Sequence, residues 1–147
     1  MQERYLYRGK RIDNGEWVEG NLITDEMDDS KYFIGYMMET DEDGFPHDFD
    51  VVQVDPSTLC QCTSFEDRFQ KLIFEKDIVR HYNNAARPNS YSLGVVLWDD
   101  LRAGFYRTEN KYPADKPRII RECIYEVIGN IFDNPELLEK QNDNMQT

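Results

Sequence analysis

The sequence predicts a mainly β protein, a small barrel or sandwich finished by one short C-terminal helix. Two observations lead there. Short runs of β-branched and aromatic residues alternate with turn signals along most of the chain, a pattern that favours small β architectures over a βαβ arrangement. Aromatic residues make up 13% of the chain, with nine Tyr and eight Phe, which suits strands better than helices.

The first two runs, YLYRGKR and EWVEGNLI, flank IDNG, whose Asn14-Gly15 pair predicts a two-residue hairpin turn. KYFIGYMM (31–38) is the third strand, lying between two acidic loops, and FDVVQV (49–54) is the fourth. Asp55-Pro56 ends it, because proline cannot donate to a continuing ladder. TLCQCT follows as a brief fifth run. KLIFEKDIVRHY (71–82) reads as a strand interrupted or bent around Glu75-Lys76-Asp77, and NNAARPNS (83–90) is a loop by composition. GVVLWDD and AGFYRT form two strands across a turn near Asp100–Arg102, and residues 111–116 are another loop. IIRECIYEVIGNIF (119–132) returns to β residues, with Gly129 marking a bend or a break.

The run stops at Asp133-Asn134-Pro135. Asn134 is placed to accept a free N–H of a first helical turn, and Pro135 suits the first helical position. Glu136 puts negative charge at the positive end of the dipole, and Leu137 and Leu138 supply an apolar face. The tail beyond Lys140 has nothing to bury.

Charge is the strongest compositional signal. The formal net charge is −12. Residues 24–50 hold ten acids against Lys31 alone, a local −9, whereas residues 102–121 hold six bases against Glu109 and Asp115, a local +4. So negative a field repels phosphate backbones, which argues against general nucleic-acid binding. No run approaches the roughly 20 apolar residues of a membrane span, and MQERYLYRGK lacks a signal-peptide core. A cytoplasmic location is the expectation.

Candidate chemistry is sparse. Cys60, Cys62 and Cys123 lack the spacing of a zinc site even with His47 and His81 added, and reduced, half-buried thiols are expected. Glu75 and Asp77 share a strand face, as an acid–base pair would, but carboxylates bonding the N–H groups of a turn explain them better. TDEDGFPHDFD (40–50) fails the calcium-loop pattern: the sixth position from Asp41 is Pro46 and no Glu follows at the twelfth. His47 reads as a surface histidine and His81 as a packed or rim one. No catalytic, cofactor-binding or metal-ligating residue is assigned, and no cofactor is expected. A possible interaction surface comprises Tyr32, Tyr36, Trp98, Phe105, Arg102 and Arg107: the tyrosine-rich run, the aromatics across the GVVLWDD–AGFYRT turn, and the basic residues beside them.

These residues also resemble a known family. EVIGNIFDNPELL is similar to the C-terminal signature of the YopX protein family, found largely in phages and prophages. DPSTLCQCTSFEDRFQKLIFEKDIVRHY (55–82) supplies a second match, with Thr63, Asp67, Lys71, Ile73, Glu75, Asp77, Ile78 and Val79 fitting. YRGKRIDNGEWVEGNL and GVVLWDD add to it. Ser64, Gln70 and Lys76 stand where the family usually has glycine, Phe69 where Asn is usual, and Cys62 where an aromatic is common. Loss of those glycines implies a remodelled turn or local strain. The resemblance implies two barrel-like β subdomains, the second SH3-like, together with self-association, and brings no established activity. The corresponding division is residues 1–62, residues 63–140 with the terminal helix, and a tail at 141–147.

Two function classes follow. The first is a phage or prophage accessory protein, non-enzymatic, that binds another phage or host protein or forms a homo-oligomer in which the −9 and +4 segments assist association. The alternative is an SH3-like nucleic-acid-binding module using residues 102–121, a use that the net charge opposes.

Overall fold

The computed structural model describes residues 3–82, 89–108 and 124–139. Ten strands follow one another: β1 (Leu6–Lys10), β2 (Trp17–Asp25), β3 (Asp28–Thr40), β4 (Pro46–Val54), β5 (Cys60–Glu66), β6 (Leu72–Phe74), β7 (Asp77–Tyr82), β8 (Tyr91–Asp99), β9 (Gly104–Arg107) and β10 (Tyr125–Asn130). The protein is therefore mainly β, and it divides into two compact units, Met1–Cys62 and Thr63–Thr147.

Unit 1 is an antiparallel sheet in the order β4-β3-β2-β1, with the first residues of β5 added beyond β1 through Tyr7↔Gln61 and Arg8↔Cys60. Alternation sets two faces. The inner one carries Ile34, Val52 and Val54, with Tyr7, Val18, Tyr32, Tyr36 and Leu59 packed around them. At the end of β4, Asp55 accepts the Ser57 N–H and hydroxyl, and Pro56 opens a 3-10 turn (Pro56–Thr58). This is the predicted stop.

In unit 2 the remainder of β5 pairs with β6, and a second sheet runs β10-β7-β8-β9. Ile73, Val79, Val96 and Tyr125 form its core, with Phe65, Phe105, Ile124 and Val127 against them. KLIFEKDIVRHY is two strands about a turn at Glu75-Lys76, and the register of β10 shifts between Val127 and Gly129.

The expected barrels do not form: both sheets are open among the described residues. In unit 1, β4 returns to β1 only at one corner, through the bridge Arg11↔Val54 and the bonds Ile12 N–H to Gln53 O and Asp55 N–H to Lys10 O. One bridge does not make the staggered ladder that closes a barrel. In unit 2 no SH3-like closure is formed among the described residues. Beyond Arg107, Thr108 N–H still bonds Val95 O, while the Thr108 hydroxyl takes the Val95 N–H in place of a backbone carbonyl.

Two local expectations also change. Asn14-Gly15 is not a two-residue turn; the β1–β2 loop is longer, closed by Arg11 N–H to Glu16 O and Gly15 N–H to Arg11 O. Asn134 does precede a helical turn (136–139), but its side chain accepts from Asn130 N–H at 3.3 Å instead of from the helix. Gly129 makes room for it: a Cβ there would lie 2.5 Å from Asn134 Oδ1. The loops assigned to 83–90 and 111–116, the start of the 119–132 run, Cys123 and the tail fall wholly or mostly outside the described residues.

Candidate functional site

The acidic segment 24–50 is organised by its own carboxylates. Asp25, Asp28 and Asp41 each accept the backbone N–H two residues on, the local bond that makes aspartate a turn residue. Asp41 also takes Phe45 N–H and shapes the β3–β4 hairpin loop. The run expected to lie between two acidic loops is thus a 13-residue strand between two hairpin turns.

Within that strand the predicted tyrosines face inward. Tyr32 and Tyr36 pack on the Ile34 cluster, and the Tyr36 hydroxyl donates to Asp50 Oδ2 at 2.8 Å. That bond, more than burial, raises the Tyr36 pKa above its ordinary value. Period two then sends the intervening residues outward, where Ile23↔Phe33, Gly35↔Val51 and Met37↔Phe49 lie opposite each other. Ile23 is 41%, Met37 50%, Val51 51% and Phe49 59% exposed. Gly35 leaves a trough in this row, and the Ile23 methyl reaches over it: a Cβ on Gly35 would lie 2.8 Å from Ile23 Cδ1. Soluble proteins seldom leave a contiguous apolar row of this kind uncovered unless something binds there. Glu39, Asp48 and Asp29 are exposed around the same strands.

The other predicted residues sit in unit 2. Trp98 and Phe105 are cross-strand partners and meet edge to face at 5.0 Å. Phe105 packs on the core, whereas Trp98 is 40% exposed with its indole N–H on Asp100. Arg107 is only 6% exposed, with its guanidinium over Tyr125 at 6.0 Å, so it is not a surface cation. Arg102 is exposed, 3.8 Å from buried Asp99. Within unit 1 the tyrosine pair packs on the core; within unit 2 Phe105 is core, Trp98 lies half exposed, Arg102 is exposed and Arg107 is buried. Residues 109–121 of the basic stretch lie outside the described residues.

Asp77 is 1% exposed and takes the Phe74 N–H across the Glu75-Lys76 turn, a structural use of a carboxylate. Cys60 and Cys62 are fully buried, and the Cys60 thiol donates to Thr58 O. His81 stacks on Tyr125, and His47 is exposed. Among the described residues no group of three or more His, Cys, Asp or Glu is placed to hold a metal ion, and no helix is long and apolar enough to cross a membrane.

The outward row Ile23, Met37, Phe49 and Val51 is absent from the residues singled out by sequence. The signal was present: once Val52 and Val54 are taken as the inward pair of β4, alternation places Phe49 and Val51 outside. The family model for YopX protein matches residues 6–139, nearly the whole chain. No curated protein matches it.

Proposed function

Because the chain belongs to the YopX protein family, we propose that it is a non-enzymatic protein-binding module, a phage or prophage accessory protein of the bacterial cytoplasm. It self-associates, or engages a phage or host protein, through the outer face of β2, β3 and β4. The observation that carries this reading is the exposed row Ile23, Met37, Phe49 and Val51 on the outer face of these strands. Exposed ion pairs give roughly 0–1 kcal/mol each, so a stable assembly needs an apolar centre. The surrounding carboxylates set approach and register more than strength.

Light scattering at tens of micromolar protein, at low and high salt, tests this. An oligomer that persists at high salt and dissociates on Met37→Thr with Phe49→Thr is the expected result. A monomer throughout sinks the self-association reading.

A further inference from the structure

We propose that the free edge of β4 accepts an extended segment of a partner protein in which basic and apolar residues alternate. The proposal rests on the protein-binding reading for the neighbouring outer face, and it names the chemistry of the partner.

β4 is the last strand of its sheet, and among the described residues only its end is paired on the open side. Gln53 O and Asp55 N–H point to that side, since they bond Ile12 and Lys10. By the two-residue period, Val51 and Phe49 also present their N–H and C=O groups there, with no strand among the described residues to receive them. Such an edge is a template for strand addition.

Side chains along β4 alternate in chemistry as well as direction. Asp48 and Asp50 lie on one face, Phe49 and Val51 on the other. An added strand puts its own side chains beside these, so cations are favoured on the aspartate face and apolar groups on the other. A cleft of about 350 Å³, lined by Arg11, Ile12, Asp13, Asp50, Val51, Val52 and Gln53, opens where β4 and β1 part. It leaves room for the end of such a segment. A second copy offering its own β4 is disfavoured, because antiparallel pairing about Phe49 brings Asp48 opposite Asp50, and like charges directly opposite destabilise a pair. The −9 of residues 24–50 draws a basic segment from further away.

The test uses the full chain and a labelled ten-residue peptide alternating lysine with valine, against its glutamate–valine counterpart. Binding is read by fluorescence anisotropy and by hydrogen exchange of individual amides. The lysine peptide is expected to bind, to protect the Phe49 and Val51 amides, and to weaken as salt rises. Val51→Pro removes an edge-facing N–H without touching the β3 ladder, and should weaken binding about tenfold. Asp48→Lys, at an exposed position, should weaken it about fivefold. Equal binding of the glutamate peptide, or no protection at Phe49 and Val51, overturns the proposal. Tighter binding of a peptide copying residues 102–121 makes the occupant another copy of this chain and overturns it too. If Met37→Thr with Phe49→Thr dissolves the oligomer while Val51→Pro leaves peptide binding unchanged, the outer-face reading stands and edge addition falls.

Discussion

In unit 2 three buried aspartates, Asp67, Asp77 and Asp99, sit at turns and accept backbone N–H groups. The aspartates that shape turns in unit 1, Asp25, Asp28, Asp41 and Asp55, lie partly or fully exposed. Backbone strain divides the same way. Among the described residues the non-glycine residues with positive φ, Ser64, Gln70, Lys76 and Ala103, are in unit 2, whereas in unit 1 Gly15 and Gly44 adopt it. Large exposed apolar side chains go the other way and concentrate in unit 1. The difference teaches a division of work. Unit 2 uses buried polar groups to hold awkward turns, while unit 1 keeps simple hairpins and leaves a face and an edge uncovered.

The largest effect is expected at Asp67. It is 2% exposed and accepts from Phe69 N–H, Lys71 N–H and, sixty residues away, Val127 N–H. Asp67→Ala leaves three N–H groups without that acceptor, at about 1–3 kcal/mol for each one left unsatisfied, so a loss of roughly 3–5 kcal/mol is expected. Urea titration reads it unit by unit, since Trp98 reports unit 2 and Trp17 unit 1. A loss under about 1 kcal/mol would break the comparison.

Next come the left-handed positions. Ser64, Gln70 and Lys76 have φ of 68°, 65° and 66°. Left-handed backbone costs a side-chain-bearing residue about 1–2 kcal/mol, and glycine gives back roughly 0.5–1 kcal/mol in unfolded-state entropy. Each substitution to glycine should therefore stabilise unit 2 by about 0.5–1 kcal/mol in the same titration. Lys76 is the most demanding case, because its amonium lies 5.5 Å from the Phe132 ring and that contact is lost. Destabilisation at all three positions would mean that side-chain contacts outweigh the strain.

Those three positions also measure what the sequence made legible. The missing glycines left two options, a remodelled turn or strain, and strain is the outcome: all three residues are left-handed, Gln70 in the turn whose N–H groups Asp67 accepts, Lys76 in the turn closed onto Asp77, and Ser64 within β5. The succession of strands along the chain, the Asp55-Pro56 stop and the break at Glu75-Lys76-Asp77 were readable because periodicity and proline act locally. Three things were not. Closure into barrels depends on whether distant edges meet, and composition does not carry that. Which face of KYFIGYMM points inward depends on pairing with β4, so the tyrosines were placed outside and Met37 was passed over. That Asp25, Asp28 and Asp41 each close a turn depends on local geometry that a count of acids does not carry.

A smaller effect is expected from pH in unit 1. Hydrogen bonds from Ser57 hold the Asp55 pKa below its ordinary 3.8, and Arg11 does the same for Asp13 and Ser30 for Asp28. A carboxylate with a lowered folded-state pKa contributes stability that is present above its ordinary value and is lost as pH falls through the lowered one. All three groups belong to unit 1. Below about pH 4, Trp17 should therefore report a falling stability, and Asp55→Asn should flatten that slope. An unchanged slope in the variant would remove Asp55 from the account.

The smallest effect on stability is expected where unit 1 looks most apolar. Met37 and Phe49 lie opposite each other on the outer face and are half or more exposed, so truncating either removes little buried area and leaves the Ile34 cluster intact. Threonine keeps a strand-compatible, β-branched side chain, so the backbone has no reason to leave the ladder. Each of Met37→Thr and Phe49→Thr should cost under about 0.5 kcal/mol by urea titration followed at Trp17. A loss of about 2 kcal/mol or more would show that the row is structural, part of a core that the monomer needs. A near-silent result, with the oligomer dissolved by the same substitutions, leaves one reason for those side chains to be apolar: what they touch is another molecule.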